Sequence, residues 1–345
     1  MQAREFDLIL WGASGFTGRL VAEHLLRRAA AGLPLRWAVA GRNAGKLAAL
    51  LDELGASRVP IVLGESHDPR ALAELARRTR AVCSTVGPYA LYGSELVAAC
   101  ADQGTHYCDL TGEVHWMRRM IDAHEARARE TGARLVHACG FDSIPSDLGC
   151  FFLQREAQAR YGQPCGSVKL FVTRMKGAFS GGTVASILNA LEAARDNPAD
   201  RKAMGHPYGL NPPGERKGPD ERDQTTPLKD ADADCWTAPF VMASVNTRIV
   251  RRTHALLGWP WGKRFRYAEA VSTGPGLPGF ARATAITAAL GAFLAAGSIG
   301  PARAVMNRLL LPQPGEGPDE AAREAGHFEL RLIGRHPAAP GRRLV

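Results

Sequence analysis

Residues 6–18 read Phe6-Asp7-Leu8-Ile9-Leu10-Trp11-Gly12-Ala13-Ser14-Gly15-Phe16-Thr17-Gly18, and Arg19-Leu20-Val21-Ala22-Glu23-His24-Leu25-Leu26 follows with helical spacing. An apolar run of strand length, a glycine-spaced turn and a helix-period segment open a βαβ unit. Gly12 permits a sharp turn, Gly15 lets backbone approach a pyrophosphate, and Gly18 lets the helix pack close to the strand. The spacing is Gly-x-x-Gly-x-x-Gly, one residue longer before its middle glycine than the common Gly-x-Gly-x-x-Gly. With Ser14, Phe16 and Thr17, the three glycines form a loop and helix start whose N–H groups and dipole suit phosphate. In a chain with 37 glycines, such spacing gains its weight from standing between a strand and a helix.

Working outward, a first helix fades near residues 31–34 and a second apolar run, 35–40, ends in Gly41-Arg42-Asn43. An acidic residue at that strand end would hold the ribose 2′-hydroxyl of NAD. Arg42 stands there instead, with Lys46 one helical turn on. A guanidinium suits a 2′-phosphate, so NADP is expected as cofactor, with Gly41, Arg42 and Asn43 at its adenosine end. The alternative is a solvated surface arginine. A helix over 46–54, a strand over 59–63 and a helix begun by Asp68-Pro69, the first as cap, come next. The strand 81–86 runs into Gly87-Pro88-Tyr89. In a doubly wound sheet this turn faces the nicotinamide half of the cofactor, which makes Gly87 and Pro88 cofactor contacts. Tyr89 is the first candidate for a proton donor or substrate contact, against the alternative of a packed turn tyrosine. Further alternation follows: helix 94–103, strand 106–109, helix 114–131 and strand 134–138. Two successive strand ends send Asp109, Glu113, Asp142 and Ser143 toward one rim, where Asp142 and Ser143 could position substrate. Ser146 and Asp147 read as caps of the next helix.

Beyond about residue 150 the regular alternation stops. Residues 167–175 alternate with a period of two, as an antiparallel strand would. A helix over 184–195 follows Ser180-Gly181-Gly182-Thr183, and 205–234 is polar and rich in Pro and Gly, a long excursion or lid expected to be partly disordered. A helix over 240–252 and strands over 265–271 and 327–333 complete the pattern before a loose basic tail. Residues 283–302 are twenty consecutive uncharged residues, rich in Ala, Gly, Thr and Ser. They suggest a buried or membrane-touching helix in preference to a span. The expected fold class is therefore α/β, with a doubly wound parallel sheet in an NADP-binding domain over 1–150 and a second α+β domain over 151–345.

At 345 residues the chain can bury two cores, and 46% hydrophobic with 22% charged residues is a globular composition. The net charge of +9, from 43 basic and 34 acidic residues, is spread along the chain. It favours anionic partners such as cofactor phosphates, acyl-carrier surfaces or lipid headgroups. No basic stripe interleaved with aromatics occurs, which excludes nucleic acid. Seven cysteines, an odd number without a C-x-x-C pair, read as free thiols of a reducing cytoplasm, and no metal site is expected. A strand beginning within about five residues of Met1 leaves no room for a cleavable signal.

Taken together, the glycine loop, Gly41-Arg42-Asn43, Val86-Gly87-Pro88-Tyr89, Gly140-Phe141-Asp142-Ser143-Ile144-Pro145-Ser146-Asp147, Ser180-Gly181-Gly182-Thr183, Pro239-Phe240-Val241-Met242 with Asn246, and Tyr267-Ala268-Glu269 resemble the saccharopine dehydrogenase-like oxidoreductases. Within them the sequence is similar to the bacterial trans-acting enoyl reductases over nearly its whole length. The resemblance implies a Rossmann domain plus an α+β domain, and NADPH-dependent reduction of a carbon–carbon double bond on a polyketide or fatty-acyl intermediate in lipid metabolism. It also implies an acyl or acyl-carrier-bound partner; peripheral membrane contact and a homodimer stay open. Members of this branch continue past a segment like Gly341-Arg342-Arg343-Leu344-Val345, so a C-terminally truncated form is expected. A saccharopine-type amino-acid dehydrogenase, with Arg174, Arg248 and Arg251 meeting a substrate carboxylate, and a non-catalytic, lipid-associated dinucleotide-binding protein are the alternatives.

Overall fold

The computed structural model describes residues 4–32, 35–177, 181–300, 303, 316–339, 341 and 343–345. Leu33, Pro34, Ser180, residues 301–302 and Arg342, which entered the sequence reading, lie outside them. The chain forms two compact units. The first runs to Gly140 and takes back the described residues 181–189 and 316–317, and the second holds the remainder. The boundary thus falls ten residues before the expected one at 150. The reason is that the helix starting at Ile144 buries Cys150, Leu153 and Ala157 against Val168, Leu170 and Val172 in the core of the second unit.

The first unit contains, in order, β1 (Phe6–Trp11), α1 (Phe16–Ala30), β2 (Trp37–Gly41), α2 (Ala44–Glu53), β3 (Ile61–Leu63) and α3 (Pro69–Arg78). It continues with β4 (Thr79–Ser84), α4 (Tyr89–Tyr92), α5 (Ser94–Gln103), β5 (His106–Asp109), α6 (Val114–Thr131) and β6 (Leu135–Val136). The strands pair in the order β3-β2-β1-β4-β5-β6, all parallel. This is the doubly wound Rossmann order, with its reversal between β1 and β4, where ligands bind beyond the carboxyl ends of the strands. Ile9, Leu10, Ala38, Val39 and Val82 are wholly buried, as strands covered on both faces require. Asp68 caps α3 by accepting from the N–H groups of Arg70 and Ala71 at 3.0 and 3.1 Å, with Pro69 in the first turn. Strand β6 is shorter than expected: Ala138 has φ of 59°, and its N–H donates to the Asp109 carboxylate at 3.0 Å, which ends the ladder.

The second unit comprises α7 (Ile144–Tyr161), β7 (Ser167–Lys176), residues 190–196 of α8 (Gly181–Asp196), α9 (Pro198–Gly205), β8 (Leu228–Asp230) and β9 (Cys235–Ala238). After these come α10 (Ala243–Leu256), β10 (Arg266–Gly274), α11 (Gly276–Ser298), α12 (Glu320–Glu324), β11 (His327–Arg335) and β12 (Arg343–Leu344). Its mixed sheet has the order β12-β11-β7-β10-β9-β8. The alternation of β7 is real, but the strand lies between an antiparallel neighbour, β11, and a parallel one, β10. Part of the basic tail forms β12 on the sheet edge.

Residues 205–234 are an ordered strap and not a partly disordered lid. Tyr208 and Leu210 are buried, and the strap is pinned to α10 through carboxylates. Asp220 accepts from Arg251 Nε at 2.8 Å, from Tyr208 Oη at 2.9 Å and, through its other oxygen, from Tyr267 N at 3.0 Å. Asp223 pairs with Arg248. Polar composition signalled solvent because sequence does not show that these charges neutralise one another. Arg251 and Asp220 are both buried, so removing either leaves an uncompensated charge at a cost of about 3–5 kcal/mol. Arg251→Ala is therefore expected to lower the melting temperature sharply and open residues 205–223 to protease. An unchanged melting temperature would show that the strap is only laid on the surface.

Candidate functional site

The turn after β1 is shaped by two close approaches. Gly12 has φ of +88°, and a Cβ there would lie 2.4 Å from Val86 Cγ2. A Cβ on Gly18 would lie 2.2 Å from the carbonyl oxygen of Gly12. Gly15 is different: a Cβ there meets nothing nearer than Gly12 O at 3.5 Å. It is the N-cap of α1, where no side chain caps the helix and no acidic residue stands in the first turn. The helix start is thus electropositive, and bare of side chain where a pyrophosphate would approach. Ser14 is exposed and Phe16 and Thr17 are half-buried around it. Thr85, which sequence reasoning passed over, ties the β4 loop to this turn: its Oγ1 donates toward the carbonyls of Trp11 and Gly12, at 3.1 and 3.2 Å. Gly87 and Pro88 follow at once in that loop.

At the end of β2, Gly41 is half-buried and Arg42 and Lys46 project as exposed cations. Asn43 is occupied in another way: its Oδ1 caps α2 by accepting from Lys46 N at 2.9 Å. Two cations beside a capped helix, with no carboxylate among Gly41, Arg42 and Asn43, fit a 2′-phosphate.

Tyr89 is packed inside the first unit, as the alternative reading had it. It is buried, its hydroxyl donates to Ser84 O at 3.1 Å and accepts from Leu110 N at 3.4 Å, and burial pushes its pKa far above that of a free phenol. Glu113 and Asp109 are likewise internal. The Glu113 carboxylate accepts the N–H groups of Tyr89 and Ala90 at 2.7 and 2.9 Å, which fixes the loop carrying Gly87 and Pro88. Burial raises the Glu113 pKa, and those N–H groups lower it in part. Asp109 accepts from Thr111 N and Ala138 N and sits 2.7 Å from His137 Nδ1, a partner that no sequence signal announced.

In the second unit Asp142 is exposed at the approach to α7, whereas Ser143 is buried. Ser143 Oγ donates to Asn246 Oδ1 at 2.9 Å. Asn246 Nδ2 in turn donates to Ser146 Oγ and to Glu269 Oε2, each at 3.1 Å, and Tyr267 Oη donates to Glu269 Oε1 at 2.8 Å. Ser143 therefore locks α7 to α10 and β10. Ser146 and Asp147 lie inside the first turn and do not cap it: Ser146 serves this network, and Asp147 accepts from Thr253 Oγ1 at 2.8 Å. Burial pushes the Glu269 carboxyl up to about 7, against the hydrogen bonds that favour its ionised form. Arg248 and Arg251 are spent on Asp223 and Asp220, and exposed Arg174 lies 4.0 Å from Glu329.

Residues 8–136 match the saccharopine dehydrogenase NADP binding domain. A putative trans-acting enoyl reductase of Mycobacterium tuberculosis is 41% identical over 344 residues, covering 95% of this chain and 80% of that protein. The chain belongs to this reductase family. A trans-acting enoyl reductase of Mycobacterium bovis is 40% identical over 94% of this chain and 80% of its own length, and one of Mycobacterium ulcerans is 39% identical with the same coverage. In this family member the cofactor of the first unit is NADP.

Two glycine variants separate folding from binding. Gly18→Ala drives a methyl into backbone and is expected to destabilise the protein by several kcal/mol. Gly15→Ala has room in the protein, so its melting temperature should hold within a few degrees while NADPH affinity falls about tenfold or more, as titration calorimetry would record. Equal affinity in Gly15→Ala would move the pyrophosphate elsewhere. For Glu269, the folded pKa of about 7 exceeds the unfolded value of 4.5, so the native state holds the extra proton between them. Its contribution is complete below about pH 4.5 and is lost as pH rises through about 7. Melting curves should show wild type losing stability across that window and Glu269→Gln losing less; parallel pH profiles would contradict this.

Proposed function

We propose that this protein reduces the carbon–carbon double bond of an enoyl thioester, carried by a polyketide or fatty-acyl intermediate of lipid metabolism. The observation that carries the reading is about 40% identity to proteins named trans-acting enoyl reductases over 94–95% of the chain, both units included. Bound NADPH supplies a hydride, and a proton completes the saturated product. The chain's own residues do the holding: the start of α1 and Arg42 secure phosphates, and Glu113 fixes the loop of Gly87 and Pro88. Of the three side chains expected at the reacting end, Asp142 alone remains exposed, which makes it the candidate for positioning substrate or relaying the proton.

An amino-acid substrate is less well served, because Arg248 and Arg251 are already neutralised by Asp223 and Asp220. Seven cysteines as free thiols accord with work in a reducing cytoplasm. The test is absorbance-monitored consumption of NADPH and of NADH with a trans-2-enoyl thioester, in wild type and Arg42→Ala. Wild type should prefer NADPH, and the variant should lose about ten- to a hundredfold in kcat/KM for NADPH with little change for NADH. Binding of NADPH without turnover on any enoyl thioester would favour a non-catalytic dinucleotide-binding role.

A further inference from the structure

Helix α11 is built inside out. Over its 23 residues only Gly279, Ala283 and Gly297 are buried, while Leu277 is 82% exposed and Phe280 and Ile286 also face outward. A helix apolar on all sides is ordinarily buried in a core or in lipid, yet only 11% of the most apolar window of this one is buried in the protein. Its small residues make the contact with the protein: a Cβ on Gly279 would lie 1.9 Å from Gly274 O, so the helix start approaches the end of β10 as closely as backbone allows. Of the larger apolar side chains, Phe280 also packs on Trp236 with ring centroids 4.7 Å apart, Leu290, Phe293 and Leu294 are half-buried, and Leu277 and Ile286 are left on the outside.

Three features of the protein point to lipid as what covers them. First, the hydroxyls are satisfied within the helix. Thr284 donates to Phe280 O at 2.9 Å, Thr287 to Ala283 O at 2.7 Å and Ser298 to Leu294 O at 2.8 Å. A lipid-facing helix needs this, because hydrocarbon offers no partner. Second, exposed Arg282 opens the uncharged run 283–302, while Arg303 at its other end is already paired with Glu192 at 2.9 Å. Arg282 and Ile286 share a cleft with Thr173, and the strand continues from there into exposed Arg174, Met175 and Lys176. Cations around an apolar surface complement anionic headgroups above acyl chains. Third, the topology decides how the helix meets the bilayer. Strands β10 and β11, before and after α11, both pair with β7 in one sheet. A single crossing would part them, and residues 303–326 carry Arg308, Glu316, Asp319 and three prolines, which rules out a return span.

From these features we infer that α11 is a monotopic membrane contact: its outer face lies in the surface of an anionic bilayer while its inner, small-residue face stays on the protein's own sheet. This surface is separate from the reductase reading and stands or falls without it. The experiment is flotation of the full chain with vesicles of phosphatidylglycerol and phosphatidylcholine, and with vesicles of phosphatidylcholine alone. The paired variant Leu277→Glu, Ala289→Glu changes two exposed positions, and its fold is checked by circular dichroism. A neutral pair, Leu277→Asn with Ile286→Asn, gives the same reading without added charge. Wild type is expected to float with the anionic vesicles, at least fivefold less with the neutral ones, and each folded variant at least fivefold less than wild type. Wild type remaining at the bottom with both vesicle types, or a folded variant floating as well as wild type, would overturn the inference. So would a dimer in sedimentation velocity that the variants dissociate while no form floats, since a second copy would then be the cover.

Discussion

Everything about the first unit depends on how closely α1 passes the end of β1. At Gly18 the helix comes so near Gly12 that a single methyl would sit 2.2 Å from a backbone oxygen. This approach aims the start of α1 at the space beyond the sheet, where the reversal of strand order already opens a crevice. The β4 loop joins the same construction through Thr85, and Glu113 fixes the residues that follow by taking two N–H groups. The turn is thus shaped by backbone, with side chains serving as struts.

The second unit solves a different problem. Its core holds a carboxyl, a carboxamide, a phenol and two hydroxyls in one connected set, from Ser143 and Ser146 through Asn246 to Glu269 and Tyr267. Each polar group there has a partner, which is the condition under which burial is tolerable. The ionised form of Glu269 is still penalised by its surroundings, so this core is best suited to a proton-rich carboxyl. The strap follows the same logic at α10, where Asp220 and Asp223 answer Arg251 and Arg248.

What could be read in the sequence divides along physical lines. Parallel strands covered on both faces are continuous apolar runs, so β1, β2 and β4 and the helices between them stood out, and Asp68-Pro69 marked a helix start by chemistry that acts locally. The end of β2 at Gly41 was legible because it closes an apolar run, and the part given to Arg42 rests on what that position means in a sheet of this order. Tyr89 shows the limit: a place at a strand end does not say which way a ring turns, and this one turns inward to Ser84. The strap was misread because polar composition is the same whether charges face water or one another. His137 and Thr85 gave no signal, since their roles come only from partners in other strands. The neighbours of β7 were hidden for the same reason.

The central claim is that the turn from Gly12 to Gly18 and the cations at the end of β2 receive NADP. Amide hydrogen exchange of the full chain with and without NADPH measures this most directly. NADPH is expected to slow exchange in peptides spanning residues 12–19 and 42–47, with NADH protecting the first and leaving the second unchanged. Protection by NADPH confined to other segments, or none at either, would contradict it.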